Sequence, residues 1–574
     1  MIRSRLVVTK QTPRAPHGLV TAEHPLGAEA GARILKAGGN AVDAAVATAF
    51  AMTVVEPFMS TLGGSGTMLV YLARRGATMA LDFNGCAPLS AHAEMFPLTA
   101  GISTALFAWP RVRDDANVYG PLSVAVPGSV AGLAYAVEQW GTMELTDVLA
   151  PAIELARDGF VPDWYLALTT AKYIEELSAF PESARTYLRH GHAIHRPPTA
   201  EYADRVTYPD LAGSLELIAR EGSDAFYKGA IADAIDAHMK ETGGLITKND
   251  LAAYRVRVGQ PLMSRYRELE VAWSPGATGG ISALQLLNTL DQFPPDRVDW
   301  RTGVGLHHRA QAIRRAFADR FANLGDPDVI KAPWEGLASV DYARTIAAEI
   351  RRGRIAGRVP GKWGGREDAA GPAPGQQGGK GASRSLRKTD DCTTHVCAVD
   401  RDRNMVSLTN TAVSTYGSRM IVPGTGILLN NGMIWFDPEP AKPNSVGPGK
   451  RGMVNMVPAL GFRSGRPYLA VGAPGGRRII SAVPQVIANL VDGAPSPQAA
   501  IEAPRVHMES DTLEVDDRVG ERALRELGRW GYALVAREET YASSFFAKPV
   551  AIRVARGGLE AGLDHLRPAA AAGH

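Results

Sequence analysis

The chain is poor in the features that assign a protein quickly. Cysteine is nearly absent, with three residues in 574, at Cys86, Cys392 and Cys397. So odd and sparse a set has no metal-ligand spacing and makes a disulfide framework unexpected. His307 and His308 are adjacent rather than one helical turn apart, so they form no metal pair on a helix face. The sequence calls for neither a metal nor any other cofactor. A surplus of one charge is also missing. Lys and Arg number 62 against 59 Asp and Glu, a net charge of +3, which gives no reason to expect a nucleic-acid or acidic-membrane partner. The segment Met1 to Lys10 has too short an apolar run for a secretory signal, and no apolar stretch is long enough to cross a bilayer. A soluble, cytoplasmic protein is the resulting expectation. No internal repeat is present.

What the chain does have is an ordinary globular make-up, 45% hydrophobic and 21% charged, and a division into three stretches. Residues 1–356 read as mainly helical, with an Ala-rich buried helix over Ala41 to Val54 and an amphipathic one over His307 to Phe321. Residues 357–392 are dominated by Gly, Pro, Lys and Arg and read as a mobile linker. Residues 393–574 read mainly as strands, among them 394–400, 404–411, 467–472 and 550–555, with helices at 478–493 and 496–502. Helices, a linker and then strands fit one mixed α/β unit built from two segments. The turn Gly63-Gly64-Ser65-Gly66 could cradle an anion, but it lacks the Lys-Ser/Thr ending of a nucleotide loop and reads as a close backbone approach.

The chemistry gathers where order resumes, at Asp391-Cys392-Thr393-Thr394-His395. A Thr at the mouth of a strand, after a dispensable linker, is what self-cleavage before that Thr requires. The freed α-amine, with an ordinary pKa near 8, can then take the proton of the Thr393 hydroxyl as it attacks a carbonyl. Thr411, on the next strand, is placed to hydrogen-bond that hydroxyl. Gly472-Ala473-Pro474-Gly475-Gly476 lies between a strand and a helix, where successive N–H groups suit a developing oxyanion. A thiol nucleophile at Cys392 or Cys397 is the alternative, set against the plainer reading of both as small apolar groups.

These stretches, with Lys36-Ala37-Gly38-Gly39-Asn40-Ala41-Val42-Asp43, Pro127-Gly128-Ser129-Val130-Ala131-Gly132, Thr247-Lys248-Asn249-Asp250-Leu251 and Gly426-Ile427-Leu428-Leu429-Asn430-Asn431, resemble the γ-glutamyltransferases, N-terminal-nucleophile hydrolases, over nearly the whole chain. The resemblance implies an α+β fold, a four-layer αββα sandwich. It implies autoprocessing into a large chain (1–392) and a small chain (393–574) that stay together as a heterodimer acting on a small-molecule amide. It implies Thr393 as nucleophile, Thr411 as its support, and Gly475 and Gly476 as the oxyanion glycines.

The departures lie in the acyl pocket. Asn84 stands where the family has the Arg that grips the glutamyl α-carboxylate. Val454 and Asn455 replace two Ser residues with the same task. Val413, Gly432 and Trp435 replace the Asn, Gln and Asp that hold the α-amino group. Arg419 is a candidate replacement cation. The loop between Phe436 and Arg451 is shorter than in members with a lid. The expectation is an autoprocessing threonine amidohydrolase with altered acyl specificity, similar to cephalosporin (glutaryl) acylases or to small-amide hydrolases such as oxamate amidohydrolase. Genuine γ-glutamyl transfer and an unprocessed, non-catalytic descendant are the competing readings.

Overall fold

The computed structural model describes residues 8–103, 105–107, 109–196, 205–353, 392–541, 543 and 545–574. The expected linker lies, apart from Cys392, outside the described residues. Two seven-stranded sheets form the centre. Sheet I runs, in spatial order, Ala570–Gly573, Leu19–Ala22, Thr394–Val399, Met405–Thr411, Ser65–Leu72, Ala77–Phe83 and Arg257–Gly259. Sheet II runs Arg14–Ala15, Gly558–Gly562, Val550–Ala555, Arg466–Gly472, Ala459–Arg463, Leu269–Trp273 and Leu262–Tyr266. Neighbouring strands in both are antiparallel.

Successive side chains of a strand point to opposite faces, and here both faces are buried. Val396, Ala398, Val406, Leu408, Met68 and Val70 pack into one core with the helices Pro25–Lys36, Ala41–Val55, Ser129–Trp140 and Leu145–Asp158. Cys397, Val399, Met405, Leu69 and Tyr71 pack instead against Ala470, Val550, Ile552 and Phe462 of sheet II. A second helical layer, Gly280–Asp291, Gly303–Asn323, Val340–Arg351 and Arg478–Val491, covers the far face of sheet II. The result is the expected αββα sandwich.

Local chemistry fixes these elements where the packing needs them. Every residue of Ala41–Val55 is buried, which its run of Ala allows between neighbouring helices and a sheet. Its start is held by a capping box: Asn40 Oδ1 accepts from Asp43 N at 3.1 Å, and the Asp43 carboxylate accepts from Asn40 N at 2.9 Å. Asp400, at the end of the Thr394–Val399 strand, accepts from Ala41 N at 3.0 Å and ties helix to strand. The expected capping box of Thr247 and Asp250 is present as well.

His395 lies between the sheets. Its ring nitrogens meet Thr409 Oγ1 at 2.9 Å and Ser407 Oγ at 3.1 Å, and its ring covers Gly472, where a Cβ would stand 2.1 Å from His395 Cε1. Burial pushes its pKa down to about 3. Because the unfolded chain protonates near 6.5, stability is complete above that value and is lost as pH falls from about 6.5 towards 3. The full shift is worth on the order of 5 kcal/mol. Urea midpoints should therefore drop between pH 7 and pH 4, and H395Q should shallow that dependence; equal slopes would show that His395 is not responsible.

Candidate active site

Thr393 sits at the head of the third strand of sheet I, 4% exposed. Its hydroxyl donates to the carbonyl of Cys392 and lies 3.2 Å from Thr411 Oγ1. The Thr411 hydroxyl accepts from Val413 N at 2.9 Å and donates to the same Cys392 carbonyl at 3.1 Å. With the Val413 N–H taken up by the Thr411 oxygen, the Thr411 proton is free to point at the carbonyl. Two hydroxyls thus converge on the one peptide group whose cleavage would expose Thr393. Val413 adopts φ +87°, and Tyr416, Gly417 and Arg419 also have positive φ. For a β-branched residue such backbone is strained, and it persists because the surroundings hold it.

Cys392 is anchored on the other side. Its thiol donates to the carbonyls of Phe58 and Met59, 2.8 Å each, and Met59 Sδ is 3.5 Å from Thr393 N. Phe58 and Met59 are in turn bonded by Tyr416 N and Ala412 N at 3.1 and 3.0 Å. Burial pushes the thiols of Cys392 and Cys397 well up, which keeps them protonated and makes them poor nucleophiles. T411V, which keeps the shape but removes the proton directed at Cys392 O, should slow maturation by about 10²–10³, the usual cost of one such donor. T411S should restore it. A time course of band splitting measures this, and a T411V rate equal to wild type would remove Thr411 from the step.

The glycine turn lies beside this centre. Gly475 has φ +133° and Gly476 φ +55°, and the helix Arg478–Val491 begins directly after. Lys548 N bonds Pro474 O at 2.9 Å. Arg477 pairs with Glu509 at 2.7 Å and donates to Phe107 O at 2.8 Å, which ties the turn to the 105–109 loop. Met59 and Gly475 line a common cavity. Met59, which meets Thr393 N, and Gly475 of the turn therefore border one space.

The residues expected in the acyl pocket divide into two groups. Val413, Trp435 and Val454 belong to one apolar cluster with Phe107, Trp109, Val118, Ile434 and Met456. At Gly432 a Cβ would stand 2.7 Å from Ala125 Cβ and 2.9 Å from Asn430 Oδ1, so a side chain has no room there. Asn84 is 3% exposed, and its Oδ1 has no hydrogen-bond partner among the described residues. The Asn455 Oδ1 accepts from Arg320 Nη2 at 3.4 Å. Arg320 is buried, donates otherwise to the carbonyls of Thr278 and Val454, and is shifted to about 9 by desolvation and then by Arg477. Arg419 is fully enclosed. It donates to the carbonyls of Thr415 and Gly417 and lies 5.0 and 5.1 Å from the Tyr119 and Tyr173 rings.

Residues that sequence reasoning did not single out also face this centre. Ser65 pairs directly with Thr411 across the sheet, so their side chains share a face. Its Oγ is buried and has no hydrogen-bond partner among the described residues. Met59, Glu56 and Arg477 act through tertiary contacts that leave no local pattern. The Gly63-Gly64-Ser65-Gly66 turn was the one legible signal near Ser65.

A buried Thr heading a central strand of an αββα sandwich, faced by a glycine turn from the second sheet, defines an N-terminal-nucleophile hydrolase. A family model described as Gamma-glutamyltranspeptidase matches residues 27–574. The glutathione hydrolase proenzyme of Escherichia coli (strain K12) is 34% identical over 539 residues, 92% of this chain and 87% of that protein. The acylase ACY 1 proenzyme of Pseudomonas sp. (strain SE83) is 36% identical over 527 residues, 92% and 88% of the two chains. The cephalosporin acylase from Bacillus halodurans superposes with a TM-score of 0.84 at 27% identity, covering 100% of this chain and 98% of that one. The chain belongs to the γ-glutamyltranspeptidase family and is an enzyme of that family's amidohydrolase and acyltransferase type. Among the described residues no helix is long and apolar enough to cross a membrane.

Proposed function

We propose that the chain cuts itself before Thr393 and then hydrolyses amides whose acyl group lacks the α-ammonium of a γ-glutamyl donor. The observation that carries this reading is the apolar cluster of Val413, Trp435 and Val454. These are three of the positions at which the family resemblance calls for polar groups. A zwitterionic head placed there would bury its ammonium without a carboxylate. Arg320, behind Val454 and Asn455 with no acidic partner among the described residues, adds a positive field that further disfavours a cation and tolerates a neutral or anionic acyl group. Asn84 and Ser65 offer neutral hydrogen bonds in place of an Arg. Arg419 holds the strained 413–419 turn rather than the substrate.

In this reading Thr393 Oγ attacks the amide carbon, and its proton passes through the freed α-amine to the leaving nitrogen. The carbonyl oxygen is received by the Gly475–Gly476 N–H groups, and water resolves the acyl ester. Losing two charge-assisted contacts to a glutamyl head, about 1.5–3 kcal/mol each, lowers kcat/KM by about 10²–10⁴. Glutaramate and L-glutamine differ only in the ammonium, so ammonia release from the two is a matched test, with the corresponding p-nitroanilides as a second pair. Glutaramate should be favoured at least 30-fold, about 2 kcal/mol, and mass spectrometry should find the acyl group on Thr393. Preference for L-glutamine would instead support γ-glutamyl transfer, the reading that the likeness to glutathione hydrolases favours.

A further inference from the structure

One buried site lies beside the reacting centre and is used by none of the steps above. It is a cavity of about 20 Å³ lined by Glu23, Glu56, Met59, Tyr165, Pro474 and Gly475, with Phe546, Lys548 and Arg567. That is room for one water-sized molecule. Glu23 is 3% and Glu56 1% exposed. Both Glu56 oxygens and Glu23 Oε1 have no hydrogen-bond partner among the described residues. The two cations of the lining are engaged elsewhere: Lys548 with Glu539 at 2.6 Å, and Arg567 with the carbonyls of Tyr541 and Ser543 at 2.7 and 3.0 Å. Buried carboxyls without partners are costly, and a cavity edged by three such oxygens is built for a small donor of several protons.

The position says which donor. A leaving amine must stand within reach of the Thr393 α-amine that protonates it, while its carbonyl oxygen points at the glycine turn. The cavity touches both walls. Met59 lies 3.5 Å from Thr393 N, and Gly475 is in the turn. The geometry points to this cavity as the amine subsite of the acyl-transfer reaction, sized for ammonia, so that the preferred substrates are primary amides and the preferred acceptor other than water is ammonia itself. The inference rests on Thr393 being the nucleophile. In the forward step the C–N bond of R–CO–NH₂ breaks and the C–O bond to Thr393 forms. The hydroxyl proton moves through the α-amine to nitrogen, and NH₃ departs into the cavity. Burial, with Asp564 nearby, holds Glu23 up at about 8, and burial raises Glu56 well above the usual carboxyl range. A carboxyl kept protonated near neutrality can hand its proton to ammonia and leave an ammonium–carboxylate pair.

Two measurements on the whole protein test this. In the first, glutaric acid monomethyl ester acylates the enzyme, and the ratio of amide to acid formed is read with ammonia, methylamine or glycylglycine at equal free base. Ammonia should exceed methylamine by about 10-fold or more, the usual discrimination against one extra methyl in a fitted pocket. E56Q and E23Q should each lower the ammonia ratio at least 5-fold. The ratio is taken within one acyl-enzyme, so a loss of active molecules leaves it unchanged. In the second, wild type is melted in 200 mM ammonium chloride and in 200 mM tetramethylammonium chloride. Ammonium should raise Tm by about 1–2 °C in wild type and not in E56Q. Equal partition of the amines together with equal melting in the two salts overturns the subsite. A melting shift without any acyl-Thr393 adduct would leave the cavity assigned and overturn the nucleophile instead.

Discussion

Replacing Thr393 by Ala should leave one 61.1 kDa chain that never splits and releases no ammonia from any amide. Two separate arguments lead there. In the uncut chain the hydroxyls of Thr393 and Thr411 both lie against the Cys392 carbonyl, and of the two only Thr393 belongs to the peptide bond that would be cut. The Cys392 sulfur is turned away onto the carbonyls of Phe58 and Met59. In the proposed reaction of the cut chain the same residue supplies both the attacking oxygen and the base, so Ala removes two functions at once. Removing a covalent nucleophile elsewhere costs on the order of 10⁶ in kcat, which puts the variant at background. T393S should keep both activities, because it retains hydroxyl and α-amine. Intact-mass spectrometry of T393A decides the matter: two bands of the wild-type masses would refute the assignment of Thr393.

Much of this was legible in the sequence, and the reason is local. Thr393 stands between a stretch of sequence dominated by Gly, Pro, Lys and Arg and a strand with a clear apolar alternation. The switch marks the site whatever the rest of the chain does. The helices Ala41–Val55 and Lys248–Ala253 were equally readable, because composition and capping residues lie within a few positions of one another. The strands at the sheet margins were not. Ala570–Gly573 carries no β-branched residue, and Gly558–Gly562 begins and ends in Gly. They are strands because Leu19–Ala22 and Val550–Ala555 present free edges to them. Ala459–Arg463 was also missed, being short and bordered by irregular loops.

The acyl side shows the same division. The sequence told which polar groups are gone from positions 413, 432, 435 and 454. It could not tell that three of those positions close into one apolar wall, nor that Ala125 and Asn430 leave no space at Gly432. Ser65, Met59 and Glu56 take their meaning from strands and loops hundreds of residues away. Ser65 pairs with Thr411, and Met59 braces Cys392. Such relations carry no sequence period.

The hydrogen bonds at the cleavage site also separate maturation from turnover, and G475A should make the separation visible. The Cys392 carbonyl is met by the hydroxyl of Thr411 as well as by Thr393, the attacking group, so self-cleavage has a donor of its own and does not need the glycine turn. In the proposed reaction, a substrate carbonyl arriving after Cys392 has left is received by the Gly475–Gly476 N–H groups. At Gly475 a Cβ would stand 2.5 Å from Ala547 Cα and 2.7 Å from Ala547 Cβ, and φ is +133°, a region closed to Ala. Ala547 cannot retreat, since Lys548 N is bonded to Pro474 O at 2.9 Å and Arg505 to Ala547 O at 3.0 Å. The turn itself must therefore shift, and its donors with it. Misplacing one oxyanion donor costs about 10²–10³ in kcat. G475A should thus mature into two chains at close to the wild-type rate and then turn over amides at that reduced kcat, with acyl-Thr393 forming slowly but at full stoichiometry. Maturation slowed as much as turnover would show that one oxyanion site serves both reactions.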